Sequence, residues 1–199
     1  MIKNLVFDFG KVLLDYDFKR SVLKYFESEE DFEVFHKKYI NEEFMGICDI
    51  GTQPLVDCYR QAAEQDAHFA SQLMHFYESY VDFVTGEIPG MRALLQEYKA
   101  KGYKLYGITN WCTPIFTIME SYPEIFGLLD GRIISCEEHM LKPYPDIYLR
   151  LLEKYGLKAE ECVFADDKAP NVHGAEAVGM YGIVFKDEKQ YRAELEKLL

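Results

Sequence analysis

A chain of 199 residues, 49% of them hydrophobic and 15% aromatic, can bury the core of one α/β domain with an insert, or of two small domains, and does not read as disordered. Its formal net charge of −12 argues against nucleic acid and anionic membrane surfaces as partners, because both select faces rich in Lys and Arg. Cys48, Cys58, Cys112, Cys136 and Cys162 form an odd set without a C-x-x-C pair, which argues against a disulfide framework and against a zinc site.

In chain order, the opening stretch reads as a strand over Leu5–Phe7, not as a basic-then-apolar leader, and no apolar run approaches a membrane span. The expectation is a cytoplasmic protein, monomer or homodimer. From Phe18 to about Thr85 no strand is convincing. This stretch reads as several helices with breaks near Ser28, Asn41 and Gly51-Thr52, and Gln53-Pro54 fits a helix start. Leu55, Tyr59, Phe69, Leu73, Phe76 and Tyr80 recur at helical intervals, as a packed core would require.

Beyond it, strands are expected at Lys104–Ile108, Arg132–Ile134, Cys162–Ala165 and Gly182–Phe185. Helices are expected over Met91–Lys101, Pro145–Tyr155 and Asn171–Val178, with left-handed glycine caps at Gly102 and Gly156. Alternating strands and helices predict a doubly wound, Rossmann-like parallel sheet built from residues 1–16 and 87–199. Residues 17–86 are then an all-helical cap over its active-site end.

Ligands of parallel sheets bind beyond the carboxyl ends of the strands. The residues at those ends are Asp8-Phe9-Gly10, Thr109-Asn110, Lys142-Pro143 and Asp166-Asp167. Three carboxylates at one rim repel one another unless one is protonated or a cation sits among them. Mg²⁺ suits such a set, since it takes one or two carboxylates, a carbonyl and waters. A phosphate can supply a further ligand, with Lys142 and Thr109 holding its other oxygens.

The order of these motifs, Leu5-Val6-Phe7-Asp8-Phe9-Gly10, Ile108-Thr109-Asn110, Leu141-Lys142-Pro143 and Val163-Phe164-Ala165-Asp166-Asp167 with Asn171 following, resembles the haloacid dehalogenase superfamily over essentially the whole chain. The resemblance implies a phosphohydrolase whose nucleophile is Asp8, forming an aspartyl-phosphate. It implies Mg²⁺ held by Asp8, the Gly10 carbonyl and Asp167, with Asp166 binding directly or through water. Lys142 would offset charge on the nucleophile and phosphoryl oxygens, Thr109 would bind the phosphate, and Asn171 would orient Lys142 or the metal loop. Asn110 and Arg20 complete the candidate substrate contacts.

One position departs from the pattern. Phosphatases of that superfamily carry a second Asp two residues after the nucleophile, and this chain has Gly10 there. That Asp supplies general acid–base catalysis of roughly 10²–10⁴-fold. The dehalogenase branch also lacks it but works without metal, and the Asp166-Asp167 pair counts against that branch. A non-catalytic binding protein is another alternative. A third reading is a phosphatase whose leaving group needs little protonation, such as a sugar 1-phosphate. Asp8-Phe9-Gly10-Lys11-Val12 and Asp15-Tyr16-Asp17-Phe18-Lys19-Arg20 look like the bacterial α-glucose-1-phosphate phosphatases, which share this glycine. Asp15, Asp17 and Arg20 would lie where the chain leaves the core: an acid there could replace the missing one, or they are surface charges. Trp111 would line the pocket or pack, and His139 is the histidine nearest the candidate lysine.

Overall fold

The computed structural model describes Met1–Leu199. The first strand, β1 (Asn4–Phe7), is buried at every position, and a tight turn leads from it to β2 (Leu14–Tyr16). Five helices follow: α1 (Phe18–Val22), α2 (Glu29–Tyr39), α3 (Glu42–Asp49), α4 (Leu55–Gln65) and α5 (Ala70–Glu78). Ser28 and Asn41, read as breaks, are the N-caps of α2 and α3: each side-chain oxygen accepts from the backbone N–H three residues on, at 3.1 and 2.9 Å.

The return is not helical to Thr85 as expected. A single 3₁₀ turn at Tyr80–Phe83 gives way to β3 (Val84–Glu87), which pairs antiparallel with β2. The two segments joining the helical insert to the core are therefore hydrogen-bonded to each other. Strands of three and four residues, one of them Leu-Asp-Tyr and the other interrupted by Gly86, are too short to show alternation in sequence.

The chain then alternates: α6 (Met91–Ala100), β4 (Lys104–Thr109), α7 (Ile115–Ser121), α8 (Pro123–Phe126), β5 (Gly131–Ile134), α9 (Ser135–Glu138), α10 (Pro145–Tyr155), β6 (Cys162–Asp166), α11 (Ala169–Ala177), β7 (Tyr181–Val184) and α12 (Glu188–Leu195). Gly102 and Gly156 take the left-handed conformation just past α6 and α10, as read. The five longer-range strands form one parallel sheet in the order β5-β4-β1-β6-β7. The chain steps from β1 out to β4 and β5 and then crosses back to β6, so the reversal point lies at the carboxyl end of β1.

Period-two alternation splits the core. Val6, Tyr106, Ile108 and Phe164 point to the face covered by Ile147, Tyr148 and Leu151 of α10. Leu5, Phe7, Leu105, Val163 and Ala165 point to the other face, in a cluster that continues into the insert through Phe35, Tyr59, Leu73 and Phe76. The insert is thus packed against the sheet's end, and no helix of the chain is long and apolar enough to cross a membrane.

Candidate active site

Asp8 is the first residue beyond β1, and its N–H still donates to Ala165 of β6 at 2.9 Å. Its backbone is held by the next side chain. Phe9 is fully buried against Phe126, ring centroids 4.9 Å apart, and lies so close to Gly107 that a Cβ there would meet the ring at 2.2 Å. Thr109 closes the neighbouring strand β4 and is 1% exposed.

Lys142 reaches the same point from the loop between α9 and α10. Its Nζ lies 2.8 Å from Asp8 Oδ1 and 2.6 Å from Asp166 Oδ2, with the lysine itself 4% exposed. Asp8 Oδ1 also accepts from the Phe9 N–H at 2.7 Å. Asp166 is engaged on both oxygens, by Lys142, by the Lys168 N–H and by the side-chain amide of Asn171. Asp167 completes the group: a carboxylate oxygen from each of Asp8, Asp166 and Asp167 falls within 4.8 Å of the others.

The charges are unevenly compensated. Burial pushes Asp8 up to about 7, Lys142 opposes the shift, and Asp166 and Asp167 add to it. Burial also leads the upward shift of Asp167, reinforced by Asp166. Burial raises Asp166 as well, but Lys142, the Lys168 amide and Asn171 outweigh it and hold it below its ordinary value. Burial lowers Lys142, yet Asp166 and Asp8 together raise it, so the lysine stays charged. One ammonium among three carboxylates leaves an excess of negative charge between Asp8 and Asp167, the place where a divalent cation fits the donor set.

The other candidates sort differently. Asn110 is engaged by the protein: its Nδ2 donates to the Lys142 carbonyl at 3.0 Å and its Oδ1 accepts from the Lys142 N–H at 2.8 Å, fixing the lysine loop. Asn171 orients Asp166, and only through it Lys142. Arg20 is exposed on α1, and the structure does not bring it to the cluster. Asp17 is the N-cap of α1, accepting from the N–H groups of Lys19 and Arg20, and Asp15 is paired with Lys11 at 2.5 Å. Neither acid is free to replace the one absent at Gly10. Trp111 is 8% exposed with its ring edge-on to Tyr16, while His139 holds the Ile50 carbonyl at 2.9 Å.

Two residues passed over in sequence stand near the cluster. Tyr16 fills the space beside Gly10: a Cβ on Gly10 would lie 3.0 Å from its ring. Asp49, the last residue of α3, is 8% exposed, and its Oδ1 has no hydrogen-bond partner. A single Asp inside Ile47-Cys48-Asp49-Ile50 carries no motif. Only its apolar flanks hint at burial.

The sequence matches the haloacid dehalogenase-like hydrolase family over residues 2–179. This chain belongs to the haloacid dehalogenase-like hydrolases. Among relatives, it is 32% identical to the sesquiterpene phosphatase astK of Aspergillus oryzae over 72% of each chain. It is 30% identical to flavin mononucleotide hydrolase 1 of Arabidopsis thaliana over 56% of its own length, and 31% identical to the glyceraldehyde 3-phosphate phosphatase of Pyrococcus furiosus over 55%. The matches span less than half the length of those last two proteins, 45% and 46%. The same fold is seen in a HAD-like family hydrolase of Porphyromonas gingivalis, with a TM-score of 0.78 at 19% identity over 100% of this chain and 98% of that one. It is also seen in the HAD family enzyme bt-2542 of Bacteroides thetaiotaomicron, solved with magnesium and inorganic phosphate, with a TM-score of 0.74 at 18% identity over 94% and 96%. As a haloacid dehalogenase-like hydrolase, the chain carries the family's α/β sheet with the carboxylate cluster at its carboxyl edge.

Proposed function

We propose that this hydrolase is a magnesium-dependent phosphomonoesterase that works through an aspartyl-phosphate on Asp8. The observation carrying this reading is the buried contact of Lys142 Nζ with both Asp8 and Asp166, with Asp167 completing a cluster whose oxygens lie within 4.8 Å. The phosphatase names of the relatives and the magnesium-phosphate complex of the Bacteroides enzyme support it.

In this reading Asp8, the Gly10 carbonyl and Asp167 hold the ion, and Asp166, whose oxygens are already engaged by the protein, positions Lys142 and contributes at most through water. When bound, Mg²⁺ neutralises charge on the carboxylates and on the phosphoryl oxygens. One Asp8 oxygen would attack phosphorus and the other would bind the ion, with Lys142 and the Phe9 N–H fixing the carboxylate. Lys142 and Thr109 steady the transferring group, so catalysis is mainly positioning and electrostatic stabilisation. The partner is a small phosphorylated molecule, with no nucleic acid or membrane, and the protein acts as monomer or homodimer. The proposed substrate class is a small sugar phosphate such as a hexose 1-phosphate, whose anomeric oxygen leaves readily from a site with Gly10.

The test is phosphate release from a sugar-phosphate panel with Mg²⁺ and with EDTA, for the wild type and Asp8→Asn. Turnover that EDTA abolishes, and that Asp8→Asn lowers by roughly 10³-fold or more, is the expected result. Metal-independent halide release from 2-chloropropionate, without phosphate release, would replace this reading with the dehalogenase one.

A further inference from the structure

Asp49 breaks three local rules at once. A negative side chain at the C-terminal end of a helix opposes the helix dipole. A buried carboxylate costs stability unless paired. An oxygen without a hydrogen-bond partner adds to that cost. Asp49 ends α3, is 8% exposed and leaves Oδ1 unpartnered. Cys112, Lys168 and Lys142 offset only part of the burial, and conflicts of this kind concentrate at functional sites.

The placement of α3 gives the conflict a purpose. Near its start, Glu42 pairs with Lys168, the residue after Asp167, at 3.2 Å. Midway, Gly46 lies against Leu141, the residue before Lys142. At its end, Ser135 Oγ donates to the Asp49 carbonyl at 2.6 Å and His139 meets the Ile50 carbonyl at 2.9 Å. Gly51 then touches the Cys136 backbone so closely that a Cβ would sit 2.6 Å from it. This helix therefore crosses the loops that carry the catalytic cluster. Asp49 interacts electrostatically with Lys168 and Lys142 and with the Tyr16 hydroxyl, which also feels Asp167 and Asp8.

We propose that Asp49 is the acid–base group of this hydrolase, taking the place of the carboxylate absent at Gly10. The idea rests on the phosphomonoesterase reading above. An Asp8 oxygen attacks phosphorus and the bond to the leaving-group oxygen breaks. The Asp49 carboxyl gives its proton to that oxygen, and the alcohol departs. Water then attacks the aspartyl-phosphate and gives a proton to the Asp49 carboxylate as the bond from phosphorus to Asp8 breaks. Asp8 is restored and inorganic phosphate leaves. Burial pushes Asp49 up to about 7, which suits a group that must carry a proton and then accept one.

The experiment compares first-turnover release of leaving group by the wild type and Asp49→Asn, with Mg²⁺, on two substrates. Hexose 6-phosphate leaves as an ordinary alkoxide, whereas p-nitrophenyl phosphate needs no proton. Asp49→Asn should slow the sugar phosphate by roughly 10²–10⁴-fold and the aryl phosphate by less than about tenfold. The ratio is internal to each preparation, so partial misfolding cancels. A wild type active on both substrates, with a variant that slows both alike or neither, overturns the assignment of Asp49 while leaving the phosphomonoesterase intact. A wild type silent on every phosphate removes both.

Discussion

Asn171 donates its side-chain amide to both carboxylate oxygens of Asp166, at 3.0 Å each. Through this fork Asp166 is fixed for Lys142, which binds the same Oδ2 at 2.6 Å. The Asn171 backbone carbonyl in turn accepts from the Tyr148 hydroxyl at 2.7 Å, so the register reaches back into α10.

Asn171→Leu should therefore act at a distance. With its fork removed, Asp166 keeps Lys142 but loses its orientation. We expect phosphatase activity to fall about 10–100-fold, as for other groups that orient a site from behind, and stability to fall by about 1–3 kcal/mol from the lost hydrogen bonds to a buried carboxylate. Steady-state kinetics and chemical denaturation check the two parts separately.

Metal binding has a readout apart from turnover. The excess of carboxylate over ammonium charge between Asp8 and Asp167 predicts that Mg²⁺ raises the Tm, by an amount equivalent to about 2.7 kcal/mol at a hundredfold excess over Kd. Asp167→Asn should abolish the rise without unfolding the protein, because the Asp167 side chain is only half-buried. An unchanged Mg²⁺ response in this variant would remove Asp167 from the ion's ligands.

Asp49 carries a stability signature of its own. Burial raises it to about 7 from an ordinary 3.8, with Cys112, Lys168 and Lys142 opposing. A carboxyl with a raised folded pKa supports the fold fully below its unfolded value and loses that support as pH rises through 7. Asp49→Asn should melt like the wild type near pH 4 and be more stable by about 1–3 kcal/mol near pH 8. The other titrating groups around it do not blur the comparison. Cys48, Cys112, Cys136, Tyr16, Tyr59 and Tyr80 are all raised above their ordinary values, and Lys142 stays charged. Lys168, being exposed, is paired with Glu42. Thermal melts in EDTA across this range measure the difference, to which the unchanged Asp8 contributes equally in both proteins.

Gly10→Asp probes the same division of labour. On its own the added acid is redundant, and its Cβ must displace the Tyr16 ring from 3.0 Å. In the Asp49→Asn background it should restore first-turnover cleavage of hexose 6-phosphate by roughly tenfold or more. No recovery, with the double variant folded, would mean that the acid is needed at the α3 position and not merely near the leaving oxygen.

The parallel sheet and the acids at its rim were readable because each rests on a local signal: a short apolar run such as Leu5–Phe7 or Cys162–Ala165, followed at once by a polar residue. Two things were not. The pairing of Leu14–Tyr16 with Val84–Glu87 joins segments about seventy residues apart, and neither is long enough to show its own period. Asp49 is chemically notable only because α3 folds down over Ser135 and Leu141, a contact no spacing in the sequence encodes. Conversely, Asn110 and Arg20 looked like ligand contacts from their neighbours in the chain. One turned inward to the Lys142 backbone and the other out to solvent.

Asp8, the proposed nucleophile, is only 8% exposed beneath an insert whose two ends meet in the small ribbon of β2 and β3. The two tethers of the helical insert are laced edge to edge, so neither can lengthen or twist without dragging its companion. A strain at one tether is therefore shared by the other, while the far end of α3 is tied to the core through the Asp49 carbonyl and Ser135.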